Sequence, residues 1–153
     1  MIQRIQTIYI LLTLICMTIA LFIPFCYYNY NHNEIALSAF GLSGSDDNIS
    51  GRFPYYIGVF CSIGLSIMAI RYFKNRKKQL VIGKINYFVI LITLVLILLD
   101  INYIANELSI STENIDYWVG SFLPIAALAF VFLANRGIKK DEKLVNSSLG
   151  RLR

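Results

Sequence analysis

Asp100 stands inside an apolar run, in "LVLILLDINY", and no other acidic residue is placed that way. A carboxylate at the centre of a bilayer costs about 2.5–3.5 kcal/mol on insertion scales, so an acid in such a run marks a proton or ion pathway or a polar contact between helices. Asn102 and Tyr103 follow it, about one helical turn from the end of the run. That depth suits a polar clasp at the rim better than a relay at mid-span.

Two further sets have helical spacing. Gly58, Ser62 and Ser66 recur every four residues, and Gly120, Pro124 and Ala127 share one face of a later run. Small residues let two helices approach closely, and Pro124 is expected to bend its helix. These six residues read as helix-packing positions. By contrast "FVILITLVLILL" is bulky all round and suits a lipid-facing helix.

Other chemistry is thin. Cys16, Cys26 and Cys61 are scattered, with no Cys-x-x-Cys pair and no His/Cys cluster, and His32 is the single histidine. Zinc and thioredoxin chemistry are not suggested. "NIS" at Asn48 matches a glycosylation tripeptide that is common by chance. No nucleophile elbow, HExxH or glycine-rich phosphate loop is present, so the expectation is a non-enzyme with no cofactor and no metal.

The elements that must position these residues are apolar. Of 153 residues 57% are hydrophobic and 15% charged, with a mean hydropathy of +0.61. That balance fits a chain solvated by lipid. Runs at about 5–25, 54–73, 85–104 and 117–134 each approach the roughly 20 residues of a membrane span, and helix is the form that satisfies the backbone there. The first follows Arg4 as a signal peptide would, but no small-x-small site follows it, so it reads as an uncleaved span.

Charge orients the runs. Arg4, the link from Arg71 to Lys84 and the segment after Arg136 are basic, while Glu34, Asp46, Asp47, Glu107, Glu113 and Asp116 gather with Arg52 on the other side. Both termini therefore read as cytoplasmic. The net charge of +5 is explained by this orientation, with no call for nucleic acid. On the outer side Tyr27, Tyr28 and Tyr30 suit an aromatic belt, "EIALSAF" a short strand or hairpin arm, and "GLSGSDDNISG" a turn.

The expected fold is an all-α membrane protein. Residues 1–135 form a four-helix transmembrane bundle and residues 136–153 a basic amphipathic cytoplasmic helix. Gly137 interrupts after the last span. Beyond it Ile138, Val145, Leu149 and Leu152 fall near one helical face and Lys139, Lys140, Lys143 and Arg151 off it. Glu142 and Gly150 blunt the pattern. Val145, Leu149 and Leu152 are thus expected to contact a partner or the inner leaflet. In the central link Lys74, Arg76, Lys77 and Lys78 are expected to meet anionic lipid head groups, at about 1 kcal/mol per charge near the surface.

"MIQRIQTIYILL" at the start and "LANRGIKKDEKLVNSSLGRLR" at the close are distinctive. In them the chain resembles a family of small bacterial four-span inner-membrane proteins classified only as a domain of unknown function. The resemblance implies an inner-membrane protein of four helices and carries over no activity or site residue. The first functional expectation is a non-enzymatic accessory or scaffold subunit of a larger membrane assembly, in envelope biogenesis or protein export, with other membrane subunits as partners. The alternative is a small dimeric proton-coupled transporter using Asp100. An enzyme acting on lipid has the least support.

Overall fold

The computed structural model describes residues 2–30, 33–43, 53–73, 75–109 and 115–150, with side chains over 5–29, 34–43, 53–73, 75–109 and 115–142. Its helices are α1 (Ile2–Ile19), α2 (Tyr55–Arg71), α3 (Arg76–Glu107) and α4 (Val119–Gly150). Each hides a stripe that repeats every seven residues. On α1 it is Gln6, Ile10, Thr13 and Met17; on α2 it is Tyr55, Val59, Ser62, Ser66 and Ala69. On α3 the stripe alternates Gln79, Asn86, Thr93 and Asp100 with Gly83, Ile90, Ile97 and Ile104. On α4 it is Gly120, Pro124, Ala127, Val131, Ala134, Ile138 and Asp141. A period of 3.5 residues keeps a seam facing its partner when helices wind left-handedly about each other.

The helices form a ring, α1 and α3 each packing on both α2 and α4. Neighbours run antiparallel, as single contacts show. Gly58 of α2 lies against Thr93 of α3, and further along the same pair Asn86 reaches Ser66. Gly83 of α3 lies against Asn135 of α4, and Gly137 of α4 against Gln6 of α1.

Strands β1 (Cys26–Tyr30), β2 (Asn33–Ser38), β3 (Gly41–Ser43) and β4 (Ile115–Tyr117) make an antiparallel sheet in the order β3-β2-β1-β4. It is drawn from the α1–α2 and α3–α4 connections, so it caps one end of the ring. The opposite end carries the starts of α1 and α3 and the far part of α4. Alternation sets its faces: Tyr28, Ile35 and Leu37 are buried, while Asn29 and Glu34 are exposed. Gly41 turns the chain from β2 into β3 at φ 125°, a conformation open to glycine.

Backbone bonds stitch the cap to the helices. The Phe25 N–H donates to the Leu37 carbonyl (2.7 Å), and the Trp118 N–H donates to the Phe25 carbonyl (2.9 Å). The Tyr56 N–H donates to the Ala39 carbonyl (3.1 Å). Phe25 meets Tyr55 edge to face at 6.1 Å.

The expected all-α bundle of four spans is corrected by this sheet. Among the described residues α3 and α4 are the two helices long and apolar enough to cross a membrane; α1 and α2 contribute shorter apolar helices. The reasons are local. The first apolar run leaves helix after Ile19, turns ahead of Pro24, and spends Phe25 and Cys26 on the inner side of the cap. In the second, Pro54 precedes the helix, which has 17 residues against the roughly 20 of a span. α3 begins earlier than the hydropathy run, at Arg76, because Asn75 caps it by accepting from the Lys78 N–H (3.3 Å).

Nor is the tail a separate amphipathic helix. α4 continues unbroken through Gly137. A Cβ there would stand 3.0 Å from Cγ of Gln6, so the glycine serves close packing and does not end the helix. "FVILITLVLILL" is likewise not lipid-facing all round, since Ile90, Thr93 and Ile97 are buried while Phe88, Ile92 and Val95 are exposed.

The glycines give a direct test of the packing. A Cβ at Gly120 would collide with the backbone carbonyl of Pro24, which cannot swing aside, whereas Gly64 has open space around it. Gly120→Ala should destabilise the fold by about 1–3 kcal/mol. Gly64→Ala should be neutral or add up to about 1 kcal/mol through helix propensity. Reversible unfolding in mixed micelles measures both, and equal effects would contradict the packing described.

Candidate functional site: polar rungs and the end that carries the termini

Gln79, Asn86, Thr93 and Asp100 form a line of polar side chains along α3, each no more than 3% exposed. Opposite them α2 supplies small residues. Gln79 Nε2 donates to the Ala69 carbonyl (3.1 Å), and Asn86 Nδ2 donates to Ser66 Oγ (2.9 Å). Thr93 donates to the Val89 carbonyl of its own helix (2.8 Å) and fills the space that Gly58 leaves. Hydrogen bonds between helices in lipid contribute on average about 0.6 kcal/mol, up to about 2.

Asp100 is fully buried at the sheet end of this line. Next to it the Tyr28 hydroxyl donates to the Ile101 carbonyl (3.3 Å). Burial pushes the Tyr28 phenol well above its usual range, with Cys26 and the nearby Asp100 charge acting in the same direction. Burial also raises the Cys26 thiol to about 11, against a smaller downward pull from Tyr28. Both groups are therefore neutral over the physiological range.

Several interior acceptors have no hydrogen-bond partner among the described residues: Tyr55 Oη, Ser62 Oγ, Asn86 Oδ1 and Asn135 Oδ1. Chemically the described interior offers hydrogen-bond donors and acceptors and two carboxylates, Asp100 and Asp141. Among the described residues no group of three or more His, Cys, Asp or Glu gathers as metal ligands.

At the opposite end three helices meet on Asp141. Gln6 Nε2 of α1 donates to Asp141 Oδ2 (2.6 Å), a buried pair 135 residues apart. Arg76 of α3 donates through Nη1 to the Asp141 main-chain carbonyl (3.4 Å). Beside this junction a groove of about 410 Å³ lies between α2 and α3, lined by Met68, Tyr72, Lys77, Lys78, Val81 and Ile82. The Lys78 ammonium stands 5.7 Å from the centre of the Tyr72 ring. The groove thus pairs an almost wholly apolar floor with two ammonium groups.

The candidates from the sequence divide between interfaces. Gly58, Ser62 and Ser66 line the α2–α3 seam. Gly120, Pro124 and Ala127 are buried on α4, with Gly120 against the carbonyls that follow α1. Asp100 closes the polar line, Arg76 holds Asp141, and Lys77 and Lys78 flank the groove. Lys74 and the side chains of Val145, Leu149 and Leu152 lie outside the described residues.

Sequence reasoning missed Gln79, Asn86 and Thr93, and the pairing of Gln6 with Asp141. The signal was present: a polar residue every seventh position from Gln79 to Asp100, through a run otherwise apolar but for Lys84. In the tail it was the pair of acids, Asp141 and Glu142, interrupting a basic segment.

The chain belongs to the family described as Domain of unknown function (DUF4293), whose model matches residues 2–152. No curated protein matches it.

The Gln6–Asp141 pair can be weighed by a double-mutant cycle. Gln6→Leu leaves a buried carboxylate without its side-chain donor and should cost about 1–3 kcal/mol. Adding Asp141→Leu should recover most of that loss, since replacing both partners by apolar groups is close to neutral. Purely additive losses, read from unfolding midpoints, would show that the two side chains are not coupled.

Proposed function

We propose that this protein is a non-enzymatic integral protein of the bacterial inner membrane, acting as an accessory or scaffold subunit of a larger assembly in envelope biogenesis or protein export. α3 and α4 cross the bilayer, and the shorter α1 and α2 line them. Among the described residues Arg71, Arg76, Lys77 and Lys78 lie at the end opposite the sheet, and Glu34, Glu107 and Asp116 at the sheet end; we read the basic end as cytoplasmic.

The observation that carries the reading is the junction at Asp141. It ties α1 and α3 to α4, whose 32 residues extend about 48 Å against a hydrocarbon core of about 30 Å. A helix anchored in this way and continuing beyond the membrane is a post for a cytoplasmic partner. By sequence, Val145 and Leu149 within α4 and Leu152 after it are the apolar positions we assign to that partner. The groove beside the junction suits an anionic phospholipid. Its acyl chain would lie over Met68, Val81 and Ile82, and its phosphate would meet Lys77 and Lys78.

A tagged chain at native expression level, extracted in a mild detergent after crosslinking, should bring down a partner in fixed stoichiometry. Recovery of the chain alone would overturn the scaffold reading. Lys77→Gln with Lys78→Gln should reduce co-purified anionic lipid several-fold without changing insertion; unchanged lipid content would remove the groove from the account.

The full burial of Asp100 favours a second reading, a small proton-coupled transporter. In proteoliposomes Asp100→Asn should then abolish proton-coupled flux. Flux that survives the substitution would exclude Asp100 as the coupling acid.

A further inference from the structure

On the outward face of the sheet the register brings together side chains from three strands. Tyr27 of β1 pairs with Asp116 of β4, and Asn29 of β1 pairs with Glu34 of β2. Trp118, just after β4, is held by its N–H on the Phe25 carbonyl (2.9 Å). With Tyr117 these residues line a cavity of about 450 Å³, within the size range of small-molecule sites.

Two features define what would bind. The rings of Tyr27 and Trp118 stand 5.7 Å apart at 89°, so they form a corner and not a flat platform. Two carboxylates, Glu34 and Asp116, share the cavity, and Asn29 Nδ2 donates to Asp116 Oδ2 (3.0 Å), fixing how that carboxylate is presented. A sugar stacks on a ring face laid open. A corner of rings with acids beside it instead attracts a compact cation, by ring quadrupole and by charge.

We propose that this cavity binds an organic ammonium group, whether a soluble quaternary or primary amine or the head group of an ethanolamine phospholipid. The lipid source rests on the reading that α4 crosses the membrane, because Trp118 directly precedes α4 and then lies at the level of the head groups. The site does not depend on the scaffold reading, since it sits at the other end of the bundle.

Trp118 is the only tryptophan of the chain, so its fluorescence reports the site directly. In nanodiscs of phosphatidylglycerol, choline and tetramethylammonium should change its emission saturably, while the neutral isostere 3,3-dimethylbutanol should not. Glu34→Gln, an exposed position on the sheet surface, should weaken the response about tenfold, and Asp116→Asn likewise. Both substitutions retain the rings, so an aromatic belt that merely anchors the protein would respond no differently in the variants. If adding phosphatidylethanolamine to the disc competes away the choline response, the ligand is the lipid head group; if the titration is unchanged, it is a soluble ammonium. An equal response to the neutral isostere, or one indifferent to both substitutions, would overturn the proposal.

Discussion

The structure depends on how α3 keeps four polar side chains in an interior built by close packing. Where lipid surrounds the helices, apolar burial gives little drive for one helix to meet another, and association rests on van der Waals contact and interhelical hydrogen bonds. A line of Gln79, Asn86, Thr93 and Asp100 therefore dictates its neighbours. It needs small or polar residues opposite, and Gly58, Ser62, Ser66 and Ala69 meet that need on α2. The glycines follow from the same requirement. Gly58 makes room for Thr93, Gly83 for Asn135 and Gly137 for Gln6, each where a polar side chain crosses from a neighbouring helix.

The two ends of the ring are fastened by different means. At the sheet end the links are largely main-chain bonds, and the Phe25 carbonyl receives both the Trp118 N–H and the Ser121 hydroxyl. Main-chain bonds fix register whatever the side chains are, so this end tolerates exchange of its outward residues. The cavity over Tyr27, Glu34 and Asp116 uses that freedom. At the other end, the links across α1, α3 and α4 come from the side chains of Gln6 and Arg76 on one residue, Asp141.

Part of this was legible in the sequence, though only where the signal is local. The small-residue stripe on α2 follows from spacing alone. The cap was half visible: "EIALSAF" contributes to β2, and the alternation around Tyr27 and Tyr28 has the period of a strand. A hydropathy window cannot see it, because Phe25 and Cys26 add to the apolar count whether they continue a helix or begin a sheet. The pairing of Cys26 with Tyr117 joins segments from opposite halves of the chain, which no local pattern announces. Gly137 misled for a related reason. Glycine after an apolar run usually marks a helix end, and only the position of Gln6, far away in sequence, turns it into a packing residue.

Length completes the argument about α4. A helix of this size with polar residues in its last third would be marginal there without packing, since isolated turns gain too little from hydrogen bonds alone. Ile138, 1% exposed, and Asp141, 6% exposed, supply that packing a full turn and more beyond Ala134. The buried stripe thus carries on past the apolar run that first suggested a span, and the polar rung at Asp141 is what lets it do so. An apolar residue at this position would leave the buried Gln6 amide facing it without an acceptor. The acid extends the seam and satisfies that amide at once.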